Sequence, residues 1–166
     1  MAKNIKTNAA RLLDRAHIPY ELIPYPVDEE HLDAAHVAAA VGEDINRVFK
    51  TLILRGEPSS VGYFVCVVPG NTEVDLKKAA RAIGAKKAEM IHVKELLPLT
   101  GYIRGGCSPI GMKKPFPTFF HSTANDFETI FVSAGQRGLQ LKIAPEALIE
   151  YVGASVTDLV KEDTEE

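Results

Sequence analysis

The chain has 166 residues, 46% of them hydrophobic and 25% charged, which suits an ordinary globular protein with a full-sized core and excludes disordered and fibrous classes. No apolar run is long enough to span a bilayer, the opening Met1-Ala2-Lys3-Asn4-Ile5-Lys6 lacks the apolar stretch of a secretory signal, and two cysteines make no disulfide framework; together these predict a cytoplasmic protein. A net charge of −3 excludes indiscriminate coating of nucleic acid but leaves room for a local basic face that engages one RNA.

In chain order, Ala9, Ala10, Leu12, Leu13 and Ala16 mark a helix with one apolar side, stopped before Pro19. Tyr20-Glu21-Leu22-Ile23 alternates as a short strand, and Pro24 and Pro26 hold the following chain extended. A second helix is predicted over 32–41 and ends at Gly42. Strands over 49–54 and 61–68 are joined through Gly56-Glu57-Pro58-Ser59-Ser60 as a hairpin. After the turn at Pro69-Gly70-Asn71, Asp75 reads as the N-cap of a helix reaching Ile83, with Gly84 ending it.

The second half is cut into shorter pieces. A helix over 92–97 is expected to stop before Pro98, and a glycine-rich loop follows. Strands are predicted over 118–121, 129–133 and 139–143, the last two joined by the turn Ala134-Gly135-Gln136-Arg137-Gly138. Pro145 starts a final helix that Gly153 ends, and residues 161–166 read as a frayed acidic tail behind a single domain over 1–160. Strands grouped in hairpins with helices between the groups predict an α+β fold: a mostly antiparallel, barrel-like mixed sheet surrounded by helices.

Two segments carry chemistry. Val48-Phe49-Lys50-Thr51-Leu52-Ile53-Leu54 puts an ammonium at the start of a core strand, where it needs a polar cavity or a partner. Snorkelling to solvent at the strand end is the structural alternative. Gly105-Gly106-Cys107-Ser108-Pro109-Ile110-Gly111 is a loop suited to baring backbone amides, and with Lys50 it suggests an anion-stabilising pocket.

Other chemistries fare worse. The histidines are scattered, and His31 and His36, five apart, would face different sides of a helix, so no metal site is expected. The glycine loop lacks the Gly-Lys-Ser/Thr ending of a phosphate loop. Asp28-Glu29-Glu30 reads as a solvated stretch, and Asp126 and Glu128 alternate on a strand start, which parts their side chains. Cys107 with His121 as base is a candidate nucleophile, against which stands a small residue fitted to a tight turn; Cys66 lies mid-strand as a core residue. The basic residues Lys77, Lys78 and Arg81 share a helix face, Lys86 and Lys87 follow at its exit, and Lys113 and Lys114 trail the glycine loop. They are either a solvated face or the cationic rim for a polyanionic substrate.

Four segments, Phe49-Lys50-Thr51-Leu52, Asp75-Leu76-Lys77-Lys78-Ala79-Ala80, Gly101 to Gly111 and Phe131 to Leu139, stand in the order and spacing of the YbaK/EbsC proteins, which the chain resembles from its first helix to Asp158. These are freestanding relatives of the prolyl-tRNA synthetase editing domain. The resemblance implies an aminoacyl-tRNA deacylase working in trans on cysteine mischarged onto proline tRNA, with no metal and no organic cofactor. It implies a catalytic role for Lys50 and for the loop amides at Gly105 and Gly106. Substrate contacts would come from Tyr25, Thr51, Cys107, Ser108, Pro109 and Ser133. The tRNA contacts expected beside them are Lys77, Lys78, Arg81, Lys113, Lys114 and Arg137. The implied partners are the aminoacylated 3′ CCA end and prolyl-tRNA synthetase. Ala134 and Gln136 stand where many members carry Gly and Lys, and Cys107 where an aliphatic residue is common, so another amino-acid preference, such as alanine, stays open. A binding module that has lost its chemistry is the alternative from a different class.

Overall fold

The computed structural model describes residues 6–162. Residues 1–5 and 163–166, which hold most of the predicted acidic tail and of the opening segment, lie outside the described residues. Helix α1 spans Asn8–Arg15 with the Thr7 hydroxyl capping Ala10 N, followed by strand β1 at Tyr20–Pro24 and helix α2 at Ala34–Val41. The hairpin is β2, Phe49–Glu57, and β3, Tyr63–Pro69. Helix α3 covers Leu76–Ile83, with Asp75 capping the amides of Lys77 and Lys78 as its sequence predicts. The remainder is β4 at Lys87–Met90, α4 at Val93–Thr100, β5 at Thr118–His121, β6 at Ile130–Gln136, β7 at Leu139–Ile143, α5 at Pro145–Val152 and β8 at Ser155–Thr157.

The fold is α+β, and its strands divide between two sheets instead of closing into one barrel. One sheet has the order β1-β7-β6, all antiparallel. The other has the order β4-β2-β3-β5-β8, antiparallel as far as β3 and parallel from there. A single parallel bridge, Val48 to Phe131, joins them. The alternation of β2 and β3 decides what each face buries. Phe49, Ile53, Val65 and Val67 face a core shared with the three-stranded sheet, α1 and α5, whereas Leu54, Phe64, Cys66 and Val68 face α3 and Leu159.

Three elements were not legible as predicted. β4 reads Lys-Ala-Glu-Met, without a β-forming pattern, and is held as an edge strand against Leu54–Glu57 of β2. β8 is likewise formed by pairing, here parallel to β5. α4 does not stop before Pro98 but runs through it to Thr100. The proline removes one amide from the helix ladder, and the carbonyl four residues back belongs to Lys94, which is exposed and can be hydrated. The Thr100 hydroxyl donates to Leu96 O at 2.7 Å and Gly101 supplies the left-handed cap.

Candidate active site

β4 covers the edge of β2 only from Leu54 onward. Upstream of that pairing, the edge carrying Phe49, Lys50, Thr51 and Leu52 borders a cavity of about 400 Å³ instead of another strand. The other walls come from α2 (Ala34, Val37), the segment into α4 (Ile91, His92), the glycine loop (Gly105, Cys107) and the β6–β7 hairpin (Ser133, Gln140). The two segments singled out in the sequence therefore meet, 55 residues apart in the chain at Lys50 and Gly105, on one cavity.

Lys50 is half-buried, and its Nζ donates to Thr72 O at 2.7 Å. Burial lowers its pKa below the ordinary lysine value, and the nearby Glu73 carboxylate opposes that shift. The amine is thus held by a carbonyl and gives up its proton more readily than a solvated lysine. Thr51, on the opposite face of β2, presents a buried Oγ1 with no hydrogen-bond partner. Gln140, 5% exposed, does the same with its Oε1. It pairs across the hairpin with Ser133, whose Oγ accepts from Gly135 N at 3.1 Å. A buried polar atom without a partner costs free energy, and two such atoms, Thr51 Oγ1 and Gln140 Oε1, lie in the walls of this one cavity. Gln140 was not anticipated from the sequence; its place opposite Ser133 follows only from the β6–β7 pairing.

The glycine loop is built by close contacts. Gly105 has φ +85°, a left-handed conformation that favours glycine. A Cβ on Gly106 would lie 3.1 Å from Gln136 Cα and 3.2 Å from Arg137 N, so the loop presses directly on the β6–β7 turn. Arg137 Nε donates to Arg104 O at 2.8 Å, and the Tyr102 hydroxyl donates to Ile110 O. The expected oxyanion donors need one correction. Gly106 N already donates to Ile103 O at 2.9 Å and the residue does not border the cavity, so its part is to permit the close approach. Among the described residues, the amides of Gly105 and Cys107 meet no backbone carbonyl, and both residues do border the cavity.

The remaining candidates divide. Tyr25 lies outside the cavity lining, packed against the cluster of Val37, Ala38, Val48 and Phe131, with its amide on Gly138 O at 2.9 Å. Ser108 and Pro109 are buried behind the loop, the Ser108 Oγ accepting from Ile110 N at 3.3 Å. Lys78 is engaged within the fold, its Nζ donating to Asp158 and to Val160 O, both at 2.8 Å, while Lys77 and Arg81 are exposed on α3. Lys113 reaches Pro98 O at 3.5 Å and Lys114 is exposed. Arg137 serves as the loop brace already described.

Three sequence expectations about other chemistry change. His31 precedes α2 instead of lying on it, so its ring folds back to stack on His36 with centroids 4.3 Å apart, and their Nδ1 atoms engage Asp28 and Asp33. Cys107 is buried, and burial pushes its thiol up to about 12, the Thr100 hydroxyl offsetting part of the shift. The imidazole proposed as its base is elsewhere: His121 Nδ1 accepts from Leu159 N at 3.1 Å. Asp126 sits in a short 3₁₀ turn and β6 starts only at Ile130, so Asp126 and Glu128 do not alternate on a strand.

The model of the aminoacyl-tRNA editing domain family matches residues 28–151, which contain every wall of the cavity. EbsC of Enterococcus faecalis, a candidate Cys-tRNA(Pro)/Cys-tRNA(Cys) deacylase, is 46% identical over 158 residues, 95% of each chain. A proline–tRNA ligase of Thermosipho melanesiensis is 28% identical over 106 residues, 57% of this chain and 18% of the ligase. Among solved structures, a candidate trans-editing enzyme for prolyl-tRNA synthetase superposes with a TM-score of 0.79 at 25% identity, covering 93% of both chains.

Proposed function

The chain belongs to the aminoacyl-tRNA editing domain family, and from that premise we propose that it is a deacylase acting in trans on mischarged aminoacyl-tRNA, with cysteine esterified to proline tRNA as its principal substrate. The observation that carries this reading is that Lys50, Thr51, Gly105 and Gln140 border one cavity, with two buried, unpartnered oxygens in its walls. An aminoacyl ester would bring polar groups to that wall: an α-ammonium toward Gln140 and ribose hydroxyls toward Thr51 and Lys50.

Ester cleavage passes through a tetrahedral oxyanion. The Gly105 and Cys107 amides are the available donors, each preorganised donor of this kind contributing about 3–4 kcal/mol. Lys50, bordering the same cavity, adds positive charge to the site. The nucleophile is the substrate's own thiol: a C–S bond forms at the ester carbon and the C–O bond to the ribose breaks. The thiol proton ends on the released hydroxyl, and the cyclic thioester then reacts with water. Well-oriented intramolecular attack has an effective molarity of ~10⁵–10⁸ M, which removes the need for a protein nucleophile. Serine fits the same space but its hydroxyl is a far weaker nucleophile at neutral pH, so it survives. The buried Cys107 thiol gives no support to a cysteine-hydrolase mechanism.

The protein reads mainly the aminoacylated CCA end, and tRNA identity comes from prolyl-tRNA synthetase, whose Thermosipho homologue carries a related segment. The free thiols suit work in the cytoplasm. The test is loss of label from Cys-, Ala- and Ser-tRNA(Pro). Cysteine should be cleared and serine retained, Lys50→Ala should nearly abolish turnover in a folded protein, and Cys107→Ala should keep it. Tight tRNA or synthetase binding without hydrolysis of any charged species would instead establish a binding module.

A further inference from the structure

Next to the ester cavity lies a broader trough of about 620 Å³. Lys50, Leu52 and Met90 border both, so the two are continuous across the open edge of β2. Alternation along β2 explains the arrangement: Lys50 and Leu52 project to the face covered by α3, and Thr51 to the other. The trough has an apolar floor of Leu52, Val74, Leu76 and Met90. Leu76 and Met90 are 38% and 41% exposed, a large apolar surface left open beside a polar site. Lys50, Lys77 and Lys161 stand around it.

The acidic groups here are already occupied. Asp75 accepts from the amides of Lys77 and Lys78 at 2.9 and 3.1 Å. Glu73 meets Lys161 at 3.4 Å in a pair exposed on both sides, which a stronger anion displaces at little cost. Among the described residues Lys77 makes no ion pair. An aliphatic floor with lysines around it can take the apolar face of a nucleobase and the phosphate joined to it.

We propose that this trough holds the nucleotide end of the substrate, a base lying on Leu52, Leu76 and Met90 and the adjoining phosphate facing Lys77 and Lys161. The inference rests on the deacylase reading: a group esterified in the first cavity is attached to a nucleotide chain, and that chain leaves over the Lys50–Leu52–Met90 saddle. The trough makes α3, and not the Lys113–Lys114 segment, the guide for the acceptor end.

The experiment titrates the unesterified trinucleotide CCA onto the full chain by calorimetry at several salt concentrations. Wild type should bind saturably. Lys77→Glu should weaken binding about ten-fold and lower the slope of log K against log salt by about 0.7 for the lost phosphate contact. Leu76→Ser should weaken binding with the slope unchanged, and a Lys113→Glu/Lys114→Glu variant should stay within about two-fold of wild type. Both trough substitutions are at exposed positions, and unchanged melting temperatures should show that the fold is kept. In deacylation, Lys77→Glu should raise KM for Cys-tRNA(Pro) and leave kcat and the hydrolysis of cysteine methyl ester unchanged. Absence of saturable binding at millimolar trinucleotide, indifference to Lys77→Glu and Leu76→Ser, or dependence on Lys113 and Lys114 would each overturn the assignment. Trinucleotide binding with these dependences but no hydrolysis of any aminoacyl-tRNA would sink the deacylase reading and leave the trough standing.

Discussion

Lys50 and Thr51 are neighbours in the chain yet serve opposite faces of β2, which is why a charged and a hydroxyl side chain can sit side by side in an apolar strand. The lysine was legible because an ammonium in a core pattern demands an explanation. Gln140 was not, because nothing in Leu139-Gln140-Leu141 distinguishes a solvent-facing glutamine from one whose oxygen is buried without a partner. That oxygen leads to a prediction with two signs. Gln140→Met keeps the volume and removes the buried acceptor, so the free protein should gain about 1 kcal/mol of stability, seen as a higher melting temperature. The same variant should lose about ten-fold in KM for Cys-tRNA(Pro), because the ammonium loses its acceptor. An unchanged KM would remove Gln140 from substrate binding.

At the scale of elements, the loop between α4 and β5 is shaped by contacts with the β6–β7 turn as well as by its own hydrogen bonds. The backbone of Gln136 and Arg137 cannot yield to a Cβ at residue 106 as a flexible side chain would. Gly106→Ala should therefore cost about 1–3 kcal/mol by denaturant unfolding. It should also reduce kcat about ten-fold or more, with KM less affected, because the neighbouring amides shift while the rest of the cavity stays. Wild-type kcat would show that the loop has slack. Helices with caps and apolar periodicity, such as α3, were readable in outline; β4 and β8 were not, since each becomes a strand only by lying against a partner distant in sequence.

Across the whole molecule, His121 ties β5 to the C-terminal segment that returns along α3. Its Nδ1 must be unprotonated to accept from Leu159 N. Burial lowers its pKa below 6.5; Asp158 and Asp126 oppose the shift and Lys78 adds to it. The folded chain then takes up this proton less readily than the unfolded chain, so stability is full above pH 6.5 and falls as pH drops through 6.5 toward the lowered value. Melting temperature should decline between about pH 7.5 and about pH 5, and His121→Asn, which keeps an acceptor, should flatten that decline. The depressed Asp158 carboxyl, held down chiefly by Lys78, acts only at much lower pH and does not confuse the window. A wild-type profile flat over this range would show that His121 is not the titrating tie.

The order of residues alone determined most of the helices, the cap of α3, the two hairpins in outline, and the two segments from which the site is made, because caps, turns and alternation are short-range consequences of side-chain type. It also carried the family, through four motifs spread from Phe49 to Leu139. What only the tertiary structure decided was which polar atoms lack a partner, which lysines are spent on internal ion pairs, which loop amides remain available, and that the strands form two sheets joined at Val48 and Phe131. Each of these depends on what lies against a residue from far along the chain, and the closing of such long-range contacts is written in no local pattern.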